Sequence, residues 1–102
     1  MSMENHEWET LANAAVNGDS ESIRAMIASG VDINAKNYQG WTPLMNAIDA
    51  DSIEAVKTLI ECGAEIEVKS EDGDTPLMFA TRFARMSGDL TFLNILTSFP
   101  EL

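Results

Sequence analysis

The chain has 102 residues, 17 of them acidic and 6 basic, for a formal net charge of −11. That length holds one domain, and the charge excludes nucleic-acid phosphate or anionic lipid as the main partner. No apolar run approaches a membrane span, and the single cysteine, Cys62, cannot form an internal disulfide, so cytoplasmic residence is the expectation.

The first residues, Met1 to Leu11, are acidic and polar, with neither the basic nor the apolar stretch of a signal peptide. His6, the sole histidine, stands there among Glu4, Glu7 and Glu9, a solvated tail rather than a metal site. From Leu11 the chain settles into a register. Leu11, Ala14 and Ala15 give a short helix a narrow apolar face. After Gly18, Asp19 is a natural N-cap for a second helix carrying Ile23, Met26 and Ile27, and Gly30 ends it. Asp32 to Trp41 then reverses direction through a glycine turn, as an extended hairpin would.

The pattern repeats 33 residues on: Thr42-Pro43-Leu44-Met45 returns as Thr75-Pro76-Leu77-Met78, and Gly30, Ile33 and Gly40 return as Gly63, Ile66 and Gly73. Each threonine is a good N-cap, and the proline after it takes the first helical position, where its missing N–H costs nothing. Leu44, Ala47 and Ile48 form the apolar face of the next helix. Asp51 replaces Gly18, and Ser52 stands as a cap before a helix with Val56, Leu59 and Ile60. A second hairpin is expected from Glu65 to Asp74. The last unit, with Leu77, Ala80 and Thr81, is longer. Asp89-Leu90 matches Ser52-Ile53 only with four residues inserted between Thr81 and Gly88, close to one helical turn. With that offset Leu93 and Leu96 fall on the buried face and Pro100 stands where Gly63 stood.

Gly-x-Thr-Pro-Leu, then two residues and alanine, then a helix closing on Gly-Ala/Val-Asp/Glu-Ile, resembles the ankyrin repeat. The resemblance implies an all-α repeat fold: a solenoid of helix–turn–helix units joined by short β-hairpin loops, stabilised by contacts between neighbours. One domain is expected over residues 1–102, with repeats at about 7–37, 38–70 and 71–102. The histidine usual after Thr-Pro-Leu is replaced by Met45 and Met78, so flexible packing stands in for a polar bridge.

No catalytic constellation assembles. Cys62 has no histidine near it and takes the helix-end place of Ser29, a structural thiol. There is no phosphate-cradling glycine loop and no metal-ligand spacing, so neither enzyme activity nor a cofactor is expected.

The resemblance implies instead a protein-binding module that uses finger tips and the exposed side of the first helices. On the first finger this points to Lys36, Tyr38, Gln39 and Trp41, and on the second to Lys69, Glu71, Asp72 and Asp74. The first helices supply Asn17, then Asp49 and Ala50, then Arg82 and Phe83, the last pair blurred by the insertion. Tyr38 and Trp41 are rigid aromatics of the kind binding hot spots prefer; Trp41 serves equally well as packing for the neighbouring helix. The acids Glu61, Glu65, Glu67, Glu71, Asp72 and Asp74 face only Lys69. They either steer a basic partner or form a solvated hairpin that resists edge pairing. Two functions follow: an inhibitor or immunity-type protein, monomeric when free, that masks a basic partner protein; or an assembly subunit. The second would dock, or form a homodimer, through Phe92, Ile95 and Phe99, which are either an exposed patch or covered by the lengthened helix.

Overall fold

A computed structural model describes residues 7–97, which form six helices in three pairs. These are α1 (Glu7–Val16) with α2 (Ser20–Ala28), α3 (Pro43–Asp49) with α4 (Ile53–Glu61), and α5 (Pro76–Ser87) with α6 (Thr91–Thr97). His6, Phe99 and Pro100 lie outside the described residues. No helix among them is long and apolar enough to cross a membrane.

The helix starts follow the sequence signals. Thr42 and Thr75 are N-caps whose hydroxyls accept from the backbone N–H of Met45 and Met78, with Pro43 and Pro76 in the first turn. The Met45 sulfur returns the contact by accepting from Thr42 N at 3.4 Å. Asp19 caps α2 by accepting from Ser22 N at 3.2 Å and from Ser22 Oγ at 2.7 Å. Those two bonds, the hydroxyl's first, hold the Asp19 carboxyl below its ordinary pKa. Ser52 departs from expectation. It occupies the N-cap place of α4 without making a side-chain cap bond, and its hydroxyl donates to Val16 O at 2.6 Å. The carbonyl at the end of α1 has no helical partner, so this bond satisfies it and ties the second pair to the first.

Each tight corner inside a pair is a left-handed residue: Gly18 at φ +69°, Asp51 at +60° and Gly88 at +79°. Asp51 is the one non-glycine residue with positive φ among those described, and aspartate tolerates this region better than most residues do. Gly88 marks the end of the insertion. The four extra residues lengthen α5, which has 12 residues where α3 has 7.

The pairs stack in register. Helices α1, α3 and α5 form one layer and α2, α4 and α6 the other, with α3 packed between α1 and α5. The core runs along the stack through Leu11, Ile23, Leu44, Met45, Ile48, Val56 and Leu59, all essentially solvent-free. Ala14, Ala47 and Ala80 recur at one position per unit and are buried, so the layer helices approach without a bulky side chain between them.

The lengthened α5 decides the fate of the apolar last helix. Phe83 meets Phe92 edge to face, ring centroids 5.0 Å apart, and Phe92 is 1% exposed. Phe92 is therefore core and is not available to a dimer mate. Leu96 is buried, while Leu93 and Ile95 are half-buried against the same core. Exposed apolar surface lies elsewhere, at Leu77 and Met78, 44% and 46% exposed where Leu44 and Met45 are buried. Among the described residues no helix packs beyond α5 as α5 packs on α3. Thr81, in the place of Ile48, turns its hydroxyl back to Leu77 O, which makes this end face partly polar.

Because α3 is buried from both sides, heat or urea should unfold the protein in one cooperative transition. A chain ending before Asp72 loses α5 and α6 and should show neither stable helical circular dichroism nor a cooperative melt. A well-folded fragment would contradict the interface-dominated account.

Candidate functional site

Both fingers are built by the same local device. In the first, Asn37 N donates to Trp41 O at 3.0 Å and Gly40 N to Asn37 O at 2.9 Å, while Asn37 Oδ1 accepts from Gln39 N and Trp41 N. In the second, Ser70 N donates to Asp74 O at 2.8 Å and Gly73 N to Ser70 O at 2.9 Å, while Ser70 Oγ accepts from Asp72 N and Asp74 N. One polar side chain at the mouth of each turn thus satisfies two amides. The expected β-hairpins are absent as strands among the described residues. The chain enters the Thr-Pro helix start immediately after the turn, leaving an arm too short for a ladder.

The fingers are also joined to each other. Glu71 N donates to Gln39 O at 3.0 Å, Lys36 Nζ to Lys69 O at 3.0 Å, and Glu65 N to Asn34 Oδ1 at 2.9 Å. Gly40 permits the contact. It is buried at φ +77°, and a Cβ there would stand 2.7 Å from Glu71 N.

Behind the fingers, the inner helices open a pocket. Trp41 meets Phe79 edge to face with centroids 4.7 Å apart, and the Arg82 guanidinium lies over the Phe79 ring at 5.0 Å. Arg82 also pairs with Asp74 through contacts of 3.3 and 3.4 Å. Trp41, Asp49, Phe79, Arg82, Phe83 and Met86 enclose an open pocket of about 300 Å³. Among the described residues no group of three or more His, Cys, Asp or Glu is placed to hold a metal ion.

Repeated caps, repeated left-handed corners, two joined fingers and an in-register stack form one pattern, and residues 11–98 match the family model for ankyrin repeats in three copies. The chain is an ankyrin-repeat protein. No curated protein matches it. Ankyrin repeats are protein–protein interaction modules, in general non-enzymatic.

On this ankyrin scaffold the residues singled out from sequence separate into groups. Trp41, Asp49, Arg82 and Phe83 converge on the pocket, with Asp74 bonded to its arginine. Lys36 and Gln39 sit on the finger seam, where the Lys36 ammonium and the Gln39 carbonyl bridge to the second finger. Tyr38 is 84% exposed at the first tip, and Glu71 and Asp72 are exposed at the second. Of the acidic cluster, Glu61 lies on α4 and pairs with Arg24 of α2 at 2.7 Å, a contact that raises the Arg24 pKa. Two pocket residues escaped the sequence reading. Phe79 stands where the earlier repeats have Asn13 and Asn46, and that change of character was available as a signal. Met86 lies between Thr81 and Gly88, the stretch in which no register fixes the four inserted residues.

Gly40→Ala tests the finger seam. It sets a side chain against Glu71 N in a left-handed backbone and should destabilise the ankyrin stack by about 1–3 kcal/mol, read by urea unfolding. Gly73→Ala, with the same strain but open space at its Cβ, should cost less.

Proposed function

We propose that this ankyrin-repeat protein is an acidic binder that masks a basic partner protein in the cytoplasm, as an inhibitor or immunity-type protein does. The carrying observation is electrostatic. Glu65, Glu67, Glu71 and Asp72 project into solvent from one finger segment, against Lys69 and the Lys36 ammonium that bonds to Lys69 O, while Arg82 is engaged with Asp74. The field around that finger is therefore negative, and exposed charges of one sign accelerate encounter with the opposite sign.

Capture with the full chain supplies the partner, and stopped-flow mixing supplies the test. Glu71→Gln with Asp72→Asn should slow association more than it speeds dissociation, and wild-type association should slow as salt rises. Asp74 is left intact because it holds Arg82. An association rate indifferent to both salt and neutralisation sinks the reading and leaves the acids as solubilising surface.

A second reading, an assembly subunit docking through its C-terminal end, is favoured by a different observation: the exposure of Leu77 and Met78 on the end face of the stack. If that face docks onto a second copy, the free protein should sediment as a dimer, and Leu77→Ser with Met78→Ser should return it to monomer without unfolding it. A monomer at all concentrations would dispose of the homodimer.

A further inference from the structure

The pocket behind the fingers has a composition that selects its occupant. Its walls carry three aromatic rings, Trp41, Phe79 and Phe83, and one carboxylate, Asp49, which is exposed and makes no ion pair among the described residues. Aromatic faces carry negative potential and attract cations, and a carboxylate beside them adds directional hydrogen bonding. At about 300 Å³ the cavity is at the small end for ligand sites, enough for one long side chain. Phe83 and Met86 supply apolar contact for an aliphatic stem.

The molecule already places a cation there. Arg82 lies over the Phe79 ring, held at its head by Asp74. That hold is weak: the contacts are 3.3 and 3.4 Å long and the Arg82 side chain is 51% exposed. Exposed pairs of this kind contribute little, so an incoming cation can exchange with Arg82 at small cost.

We propose that the pocket is a seat for one basic side chain of the partner, arginine before lysine, and that Arg82 occupies the seat until the partner displaces it. A flat guanidinium stacks on the rings and forks to Asp49, which an ammonium cannot do equally well. This inference rests on the reading of a basic partner given above and names the group recognised.

The test uses the full chain, labelled with ¹⁵N, and a short glycine–serine peptide, amidated and acetylated at its ends, with one central arginine. Matched peptides carry citrulline, a neutral near-isostere, or glutamate at the centre. The indole N–H signal of Trp41 is the readout. The arginine peptide should shift it saturably, and the citrulline peptide should bind about fivefold more weakly. In Asp49→Asn that discrimination should shrink toward one. Arg82→Gln should tighten the arginine peptide more than Arg85→Gln does; the second variant makes the same charge change on α5 at a residue outside the pocket lining. A thermal melt of each variant confirms that it is folded, and Arg82→Met, which keeps the stem, substitutes if Arg82→Gln is not.

Equal binding of the citrulline peptide, an unmoved Trp41 signal, weaker arginine binding in Arg82→Gln, or a Trp41 shift with the glutamate peptide would each overturn the proposal. The last would mean that Arg82 recruits an anion. Salt-dependent association with the captured partner would survive any of these results, so the seat can fail while the basic-partner reading stands. Loss of that salt dependence removes both.

Discussion

Helix α3 has only 7 residues, too few to be stable alone in water, and it is helical because α1 and α5 bury it from opposite sides. Leu44, Met45, Ala47 and Ile48 lose nearly all solvent contact in that sandwich. Every other feature inherits its position from this packing. The Thr42 cap fixes where α3 starts, and the two fingers are brought side by side because the helices behind them stack at a fixed repeat. The pocket exists because Trp41, Asp49 and Arg82 are carried by neighbouring repeats.

Much of this was legible in the chain because the 33-residue repeat states each local rule more than once. Thr-Pro starts, glycine ends and the apolar faces of the first two repeats are short-range features, and they appear where the spacing places them. What eluded the sequence involves partners distant along the chain. Ser52 has the identity of a cap, yet its hydroxyl finds the unpaired carbonyl of Val16, 36 residues earlier. For Phe92 the sequence left two readings, an exposed patch or cover by the lengthened helix, and the second holds because the four inserted residues bring Phe83 across from it. The hairpins fell short of strands for a geometric reason, since a helix cap directly follows each turn. For the pocket, the residue types were readable one by one, but their convergence needed the rotation of α5 relative to α3.

Two of the acids fasten elements together. Glu61 and Asp74 are each matched with an arginine, Arg24 and Arg82, one pair bridging α2 and α4 and the other closing the second finger onto α5. Of the remaining acids, Glu65, Glu67, Glu71 and Asp72 are exposed along the second finger segment, and Glu21, Asp32, Asp51, Glu54 and Asp89 are exposed elsewhere on the stack. A chain with few bases has thus placed two of its arginines where they fasten elements together, and the remaining negative charge is presented to solvent.

The seam between the fingers has an entropic consequence. A solvent-exposed turn ordinarily surrenders backbone freedom when a partner clamps it, at about 1–2 kcal/mol per residue fixed. Here Glu71 is tethered through its amide to Gln39 O, and Lys69 through its carbonyl to the Lys36 ammonium, before any partner arrives. Bonds of this kind restrict the two turns relative to each other, so part of their backbone freedom is lost on folding rather than on binding. A partner landing on this edge meets a surface already shaped, so a small contact area can retain more of its gross attraction as affinity.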